Sequence, residues 1–217
     1  MYSRQELESG ITARNMPGVS EKIKDAKVAI AGLGGLGSNI AVMLARIGVG
    51  KLFLVDFDKV EPSNLNRQHY AVSHLGRLKT EAIKEQIEAI NPFVSVEILT
   101  QKIEAHNAAE IFKGYDIVCE AFDNPQYKAV LINALLEDAA EAAAGAGNRK
   151  IVAASGMAGY GSANKIVTKK AFKNLYLCGD GEGALEGGIG LMAPRVLVCA
   201  AHQATMVLRL LLNIEEE

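Results

Sequence analysis

Two segments near the start of the chain carry residue types that do chemistry together. Residues 28–37 read Val-Ala-Ile-Ala-Gly-Leu-Gly-Gly-Leu-Gly, an apolar run ending in Gly32, Gly34, Gly35 and Gly37. Glycine permits the tight turn and lets the backbone come near a charged ligand. A second apolar run ends in Asp56, roughly twenty residues on, a spacing that suits an acid for ribose hydroxyls. Just beyond it lies a dense polar cluster, Asn64, Asn66, Arg67 and Gln68. The Arg67 guanidinium offers a rigid fork of donors to phosphate oxygens, and Asn64 and Gln68 add amide donors on either side. A dinucleotide oxidoreductase shares the glycines and the acid but has no need of this cluster. A nucleoside triphosphate whose phosphates are held and cleaved does need it.

Two more residues fit that chemistry. Lys79 begins a helix after Gly76-Arg77-Leu78 and can reach back to a phosphate as a point charge; a solvated helix-surface lysine fits the same position. Asp123 follows an apolar run at the sheet edge where open α/β folds place ligands, and a carboxylate beside a triphosphate suits Mg²⁺. Helix N-capping by Asp123 or Asn124 is compatible with that role. Asp58 reads as a turn cap.

The elements that must position these residues alternate in type. Strands are expected at 27–31, 51–56, 94–99, 117–120 and 151–154, and helices at 35–47, 77–90, 107–112 and 124–144. Asn91-Pro92 stops one helix and Pro125 opens another. This alternation predicts an α/β, Rossmann-like, doubly wound and mostly parallel sheet. Residues 164–168 and 174–178 read as strands without a helix between them, a short antiparallel C-terminal extension. The apolar run from Val196 to Leu212 reads as a final long helix; its His202, Gln203 and Arg209 argue against a membrane span. Residues 179–190 are half glycine, which fits either a linker or a loop that closes over a partner.

Bulk properties bound the rest. A chain of 217 residues with 49% hydrophobic residues fits one domain, 1–217, with a substantial core. A net charge of −2 implies no broad nucleic-acid surface. Cys119, Cys178 and Cys199 are widely spaced, which argues against disulfides and, with no C-x-x-C pair, against structural zinc. The polar N-terminus is no signal peptide, so a cytoplasmic location without membrane attachment is expected.

Taken jointly, these motifs resemble the ThiF/MoeB branch of the ubiquitin-activating-enzyme superfamily. The resemblance spans almost the whole chain. It runs from Tyr2-Ser3-Arg4-Gln5 through the glycine loop, Asp56-Phe57-Asp58, Ser63 to Gln68, Gly76 to Lys79 and Asp123-Asn124, to Gly190-Leu191-Met192-Ala193-Pro194-Arg195. It implies adenylation of the C-terminal carboxylate of a small ubiquitin-like sulfur carrier protein ending in Gly-Gly, with release of pyrophosphate. ATP and Mg²⁺ are the implied cofactors, and a sulfur donor protein an implied further partner. Asp56 would be the ribose ligand, Asn64, Arg67, Gln68 and Lys79 the triphosphate set, and Asp123 the magnesium ligand. Arg4 matches an arginine that family members insert into the neighbouring subunit's ATP site, which implies a homodimer. Most members bind zinc through two C-x-x-C pairs, and this chain has neither. It is most similar to the compact, zinc-free subgroup of ThiF-like proteins of thiamine biosynthesis. Lys128 stands where many members have Arg, keeping charge but losing the planar fork. Cys178, beside the glycine-rich stretch, is the better placed of the thiols for a covalent intermediate but reads as non-catalytic. Competing readings are a nicotinamide oxidoreductase, a same-fold enzyme activating a small-molecule carboxylate like the tRNA threonylcarbamoyladenosine dehydratases, and a non-catalytic nucleotide-binding module.

Overall fold

The computed structural model describes residues 2–141, 149–182 and 190–215, with no side-chain detail for 139–141. The expected helix end at Ala144 and most of the glycine-rich stretch lie outside the described residues.

Seven strands form one sheet: β1 (Lys27–Ala31), β2 (Lys51–Val55), β3 (Ser95–Leu99), β4 (Ile117–Glu120), β5 (Lys150–Ala154), β6 (Val167–Phe172) and β7 (Leu175–Gly179). Their order is β3-β2-β1-β4-β5-β7-β6. Every neighbouring pair is parallel except β6 with β7. The expected parallel α/β architecture with an antiparallel extension is the one observed. The chain leaves β1 toward β2 on one side and later returns to β4 on the other. That reversal between β1 and β4 is the switch point where open sheets of this kind leave a crevice.

Strand residues alternate between two buried layers. Val28, Ile30, Cys119, Val152 and Ala154 face α3 (Gly37–Ile47), α4 (Lys79–Ile90) and α7 (Ala193–Leu211). Ala29, Ala31, Val118, Ile151 and Ala153 face α5 (Ala105–Ile111) and α6 (Pro125–Glu141). Strands covered on both faces lose the polar alternation of an exposed sheet, so their sequences read as continuous apolar runs.

Three segments differ from expectation. The strand expected at 164–168 is a 3₁₀ turn over Ala163–Lys165, and β6 begins at Val167. Ser162 causes the shift: its hydroxyl accepts from Asn164 N–H at 3.3 Å and starts the turn. Two N-terminal helices, α1 (Arg4–Thr12) and α2 (Val19–Ile23), were not anticipated. The signal for α1 was a capping box. Ser3 Oγ accepts from Glu6 N–H at 3.2 Å, and the Glu6 carboxylate accepts from Ser3 N–H at 2.8 Å. It lacks an apolar stripe because α1 buries no residue. None of the helices among the described residues is long and apolar enough to cross a membrane.

Candidate functional site

A crevice of about 570 Å³ opens at the C-terminal ends of β2, β1, β4 and β5. It brings together Gly32, Gly34, Gly35, Asp56, Arg67, Gln68, Lys79 and Asp123. Gly37, Asn64 and Arg4 do not line it.

The glycines divide by task. Gly32 has φ +90°, and a Cβ there would come within 2.9 Å of the Phe122 ring. A Cβ on Gly37 would overlap the Gly32 carbonyl oxygen, so this glycine lets α3 pack onto the loop and touches no ligand space. At Gly34 the nearest atom to an added Cβ is Gln68 Nε2, at 3.9 Å. A side chain at Gly34 would therefore fill crevice volume that the backbone leaves open to a ligand.

Asp56 is held from two directions at the end of β2. Its Oδ2 accepts from Leu33 N–H at 2.6 Å and its Oδ1 from Asp58 N–H at 2.7 Å. The carboxylate thus braces the glycine loop while lining the crevice. Burial pushes its pKa up, opposed by the Lys79 ammonium and the two N–H groups. Lys79 is buried, and its ammonium donates to Asp58 Oδ2 at 2.8 Å. Asp58 is therefore the ion-pair partner that aims Lys79, a role that the turn-cap expectation missed.

The polar cluster after β2 is pinned by its own backbone. Asn64 spends its amide oxygen on Glu61 N–H at 3.0 Å and shapes the 3₁₀ turn Pro62–Asn64 beside the crevice. Arg67 Nη1 donates to Ser63 O at 3.1 Å and to Asn66 Oδ1 at 2.9 Å. Among the described residues the remaining guanidinium N–H groups have no partner, which leaves them to an anion. Gln68 is buried in the crevice wall with its Oε1 unpartnered. A buried carbonyl oxygen without a donor is costly, which marks Gln68 as a strained polar group in the crevice wall.

Across the switch point, Asn124 caps α6, accepting from Gln126 N–H at 2.8 Å and Tyr127 N–H at 3.3 Å. Among the described residues the exposed Asp123 carboxylate then has no hydrogen-bond donor, which leaves it available to a cation. No group of three or more metal-binding side chains occurs among the described residues. A lone carboxylate is the protein's usual share of a magnesium site completed by substrate phosphates and water. Lys128, which also lines the crevice, is ion-paired with the wholly buried Glu120. On the rim, Lys102 stands 4.9 Å from the Tyr127 ring centroid.

The β5 side of the crevice carries residues that the sequence reading missed. Ser155, Gly156, Met157, Leu191 and Val196 line it. Behind them Arg195 Nη2 is ion-paired with Asp180, both side chains 6% exposed, and Nη1 donates to Ser162 O at 3.1 Å. A Cβ at Gly156 would overlap Asp180 Oδ1. Charge at Asp180 and Arg195 was visible in the sequence, but nothing local said that they meet.

All three cysteines are buried, Cys178 included. Burial raises the thiol pKa of Cys199 to about 12 and that of Cys119 well above its ordinary value. Arg4 lies on α1, exposed, with its guanidinium 5.2 Å from the Phe93 ring centroid and away from the crevice of its own chain.

The chain is 38% identical over 125 residues to the tRNA threonylcarbamoyladenosine dehydratase of Haemophilus influenzae, covering 57% of this chain and 48% of that protein. It is also 38% identical over 128 residues to a sulfur carrier protein adenylyltransferase of Thermus thermophilus, covering 57% and 47%. The chain thus spans about half the length of these curated relatives. Among solved structures, the tRNA threonylcarbamoyladenosine dehydratase of E. coli in complex with ATP superposes with a TM-score of 0.83. It is 22% identical, over 98% of this chain and 97% of that one, a likeness of fold. The ThiF family matches residues 2–217, and the chain belongs to it.

Proposed function

We propose that this chain binds ATP in the crevice and adenylates the C-terminal carboxylate of a small ubiquitin-like sulfur carrier protein ending in Gly-Gly. One observation carries the reading. A glycine loop, a ribose-suited acid, three phosphate-suited side chains and an unengaged carboxylate converge on one crevice at the switch point.

The residues fit their assigned ligands. Asp56 meets the ribose hydroxyls. The open backbone at Gly34 admits phosphates, and Arg67, Gln68 and Lys79 bind their oxygens. Asn64 holds the turn that presents Arg67. Asp123 would hold Mg²⁺, which supplies charge neutralisation to the phosphates when bound. A carboxylate oxygen of the carrier attacks the α-phosphorus; the bond to the bridging oxygen breaks, and pyrophosphate leaves with that electron pair. No proton moves, because the nucleophile is already ionised. Arg67 and Lys79 stabilise the charge gathering on the leaving group, so catalysis is positioning plus electrostatics. The adenylated carrier then suits displacement by sulfur from a donor protein, the step that supplies sulfur for thiamine biosynthesis.

Arg4 completes the site from a second copy in a homodimer. The exposure of α1 supports this: a helix of nine residues with no buried side chain gains most of its stability from packing. Mixing Arg4→Ala with Asp123→Ala chains should then restore activity in heterodimers; no recovery with subunit exchange confirmed would remove Arg4 from the site.

The similarity to the Haemophilus influenzae dehydratase favours a second reading, ATP-dependent activation of a small-molecule carboxylate on tRNA. ATP–pyrophosphate exchange separates the two. Exchange that requires a carrier ending in Gly-Gly supports the first reading. Confirmed ATP binding with no exchange across several such carriers would move the assignment to the second.

A further inference from the structure

One cation of the crevice has no task on the nucleotide side. Sheet order sets Asp56, Arg67, Gln68 and Lys79 over the β2–β1 half, and Ser155, Gly156 and Met157 over β5. Lys128 enters from the first turns of α6, beyond β4 from the glycine loop. Of the described cations lining the crevice, Arg67 and Lys79 belong to the first half, and Lys102 is engaged on the Tyr127 ring at the rim.

The partner of Lys128 is unusual. Glu120, the last residue of β4, is 0% exposed, whereas the Lys128 side chain is 23% exposed. One Glu120 oxygen accepts from Phe122 N–H at 2.7 Å, and the other takes the Lys128 ammonium. Glu120 is thus sealed away from any ligand. Its chemistry is to fix where the ammonium sits, since a buried carboxylate that lost its one cation would be strongly destabilised. An ammonium carries three donors, and the described residues take one of them. Two remain for a group in the crevice.

We propose that Lys128, positioned by Glu120, receives the substrate carboxylate on the β5 side and presents it to the nucleotide. The proposal rests on the carboxylate-adenylation reading above. The chemistry is specific. The incoming group is an anion, and it must approach a polyphosphate past Asp123 and Glu182, which also line the crevice. A cation already half-neutralised by Glu120 directs two hydrogen bonds to a carboxylate without adding a second strong trap for phosphate. A carboxamide or ester offers no negative charge to pair with the ammonium.

The test is NMR of the lysine ζ-ammonium groups in the full chain bound to Mg²⁺ and the non-hydrolysable analogue AMP-CPP, with Lys128→Arg assigning the signal. The dipeptide Gly-Gly and its amide, glycylglycinamide, are titrated in turn. A saturable shift of the Lys128 signal with Gly-Gly and none with the amide is expected. Lys128→Met should weaken Gly-Gly binding at least about tenfold, the worth of a charge-assisted hydrogen bond, and Lys128→Arg should recover most of it. Because Lys128→Met leaves Glu120 buried without its cation, it is made together with Glu120→Gln, and Gly-Gly binding is compared per folded chain, with the unfolding midpoint of each variant measured beside it. An unmoved Lys128 signal, or equal Gly-Gly binding by Lys128→Met, overturns the proposal. Carrier-dependent exchange in the wild type is scored separately: its absence with the Lys128 shift intact would sink the carrier-protein reading and leave the carboxylate site standing.

Discussion

The two halves of the crevice are built by different means. On the β2–β1 half most groups are tied down by neighbours close in the chain: Asp56 by Asp58 N–H, Asn64 by Glu61 N–H, Arg67 by Ser63 O. On the β5 half the ties span the molecule. Arg195 reaches Asp180 and Ser162, and Gln203 Nε2 on α7 donates at 3.0 Å to both Glu120 O on β4 and Val152 O on β5. The first half is a set of local motifs that carry ligand groups outward. The second is a keystone that joins α7 to the sheet. Damage to the first should cost chemistry, and damage to the second should cost stability.

The largest effect is expected at the keystone. Arg195→Met leaves Asp180 buried without its cation, and urea unfolding should show a loss of roughly 3–5 kcal/mol. A loss below about 1 kcal/mol would erase the contrast between the halves. Next comes Arg67→Ala, which should reduce carrier-dependent pyrophosphate exchange at least a hundredfold, about 2.7 kcal/mol or more at the transition state, with the unfolding midpoint unchanged. Near-normal exchange in the folded variant would remove Arg67 from the phosphate site.

Within the glycine loop the same contrast can be sharpened. Gly37→Ala drives a methyl group into the Gly32 carbonyl and should cost roughly 1–3 kcal/mol of stability. Gly34→Ala meets nothing closer than 3.9 Å, so its stability should hold while nucleotide affinity falls. Equal stability losses in the two variants would show that the loop is not divided into packing and ligand positions.

The smallest effect is pH-linked. Lys150 and Lys170 hold the Glu215 carboxyl well below its ordinary 4.5, at about 2. A depressed carboxyl stabilises fully above its unfolded value, and that contribution is lost as pH falls through the folded one. Glu215→Gln should therefore unfold slightly earlier than wild type at pH 7, by under about 1 kcal/mol for an exposed pair. The gap should close between pH 4.5 and 2. A gap that persists unchanged at pH 2 would mean that the clamp acts through packing.

Legibility in the sequence follows the same division. The strands at 27–31 and 117–120 were readable to the residue because burial on both faces writes a continuous apolar run. That Gly32, Gly34, Asp56, Arg67 and Gln68 meet at one crevice was readable because their groups sit in short segments with fixed spacing. Gly37 and Asn64 belong to the same segments, yet they serve packing and turn shape, a distinction that spacing cannot express. Asp58 was legible as an acid but not as the partner of Lys79, 21 residues away. The Asp180–Arg195 and Glu120–Lys128 pairs needed the assembled sheet, since charge alone does not name its partner. Helix α1 escaped because its signal was a cap at Ser3 and not an apolar face.

The most direct measurement is calorimetric titration of the chain with AMP-CPP plus Mg²⁺, run beside NADH, in the wild type and in Arg67→Ala and Asp123→Ala. One AMP-CPP site per chain is expected, weakened in Arg67→Ala and stripped of its magnesium dependence in Asp123→Ala, with NADH failing to compete. Tight NADH binding with no AMP-CPP site, or AMP-CPP binding indifferent to both substitutions, would contradict a triphosphate held at the β1–β4 switch point.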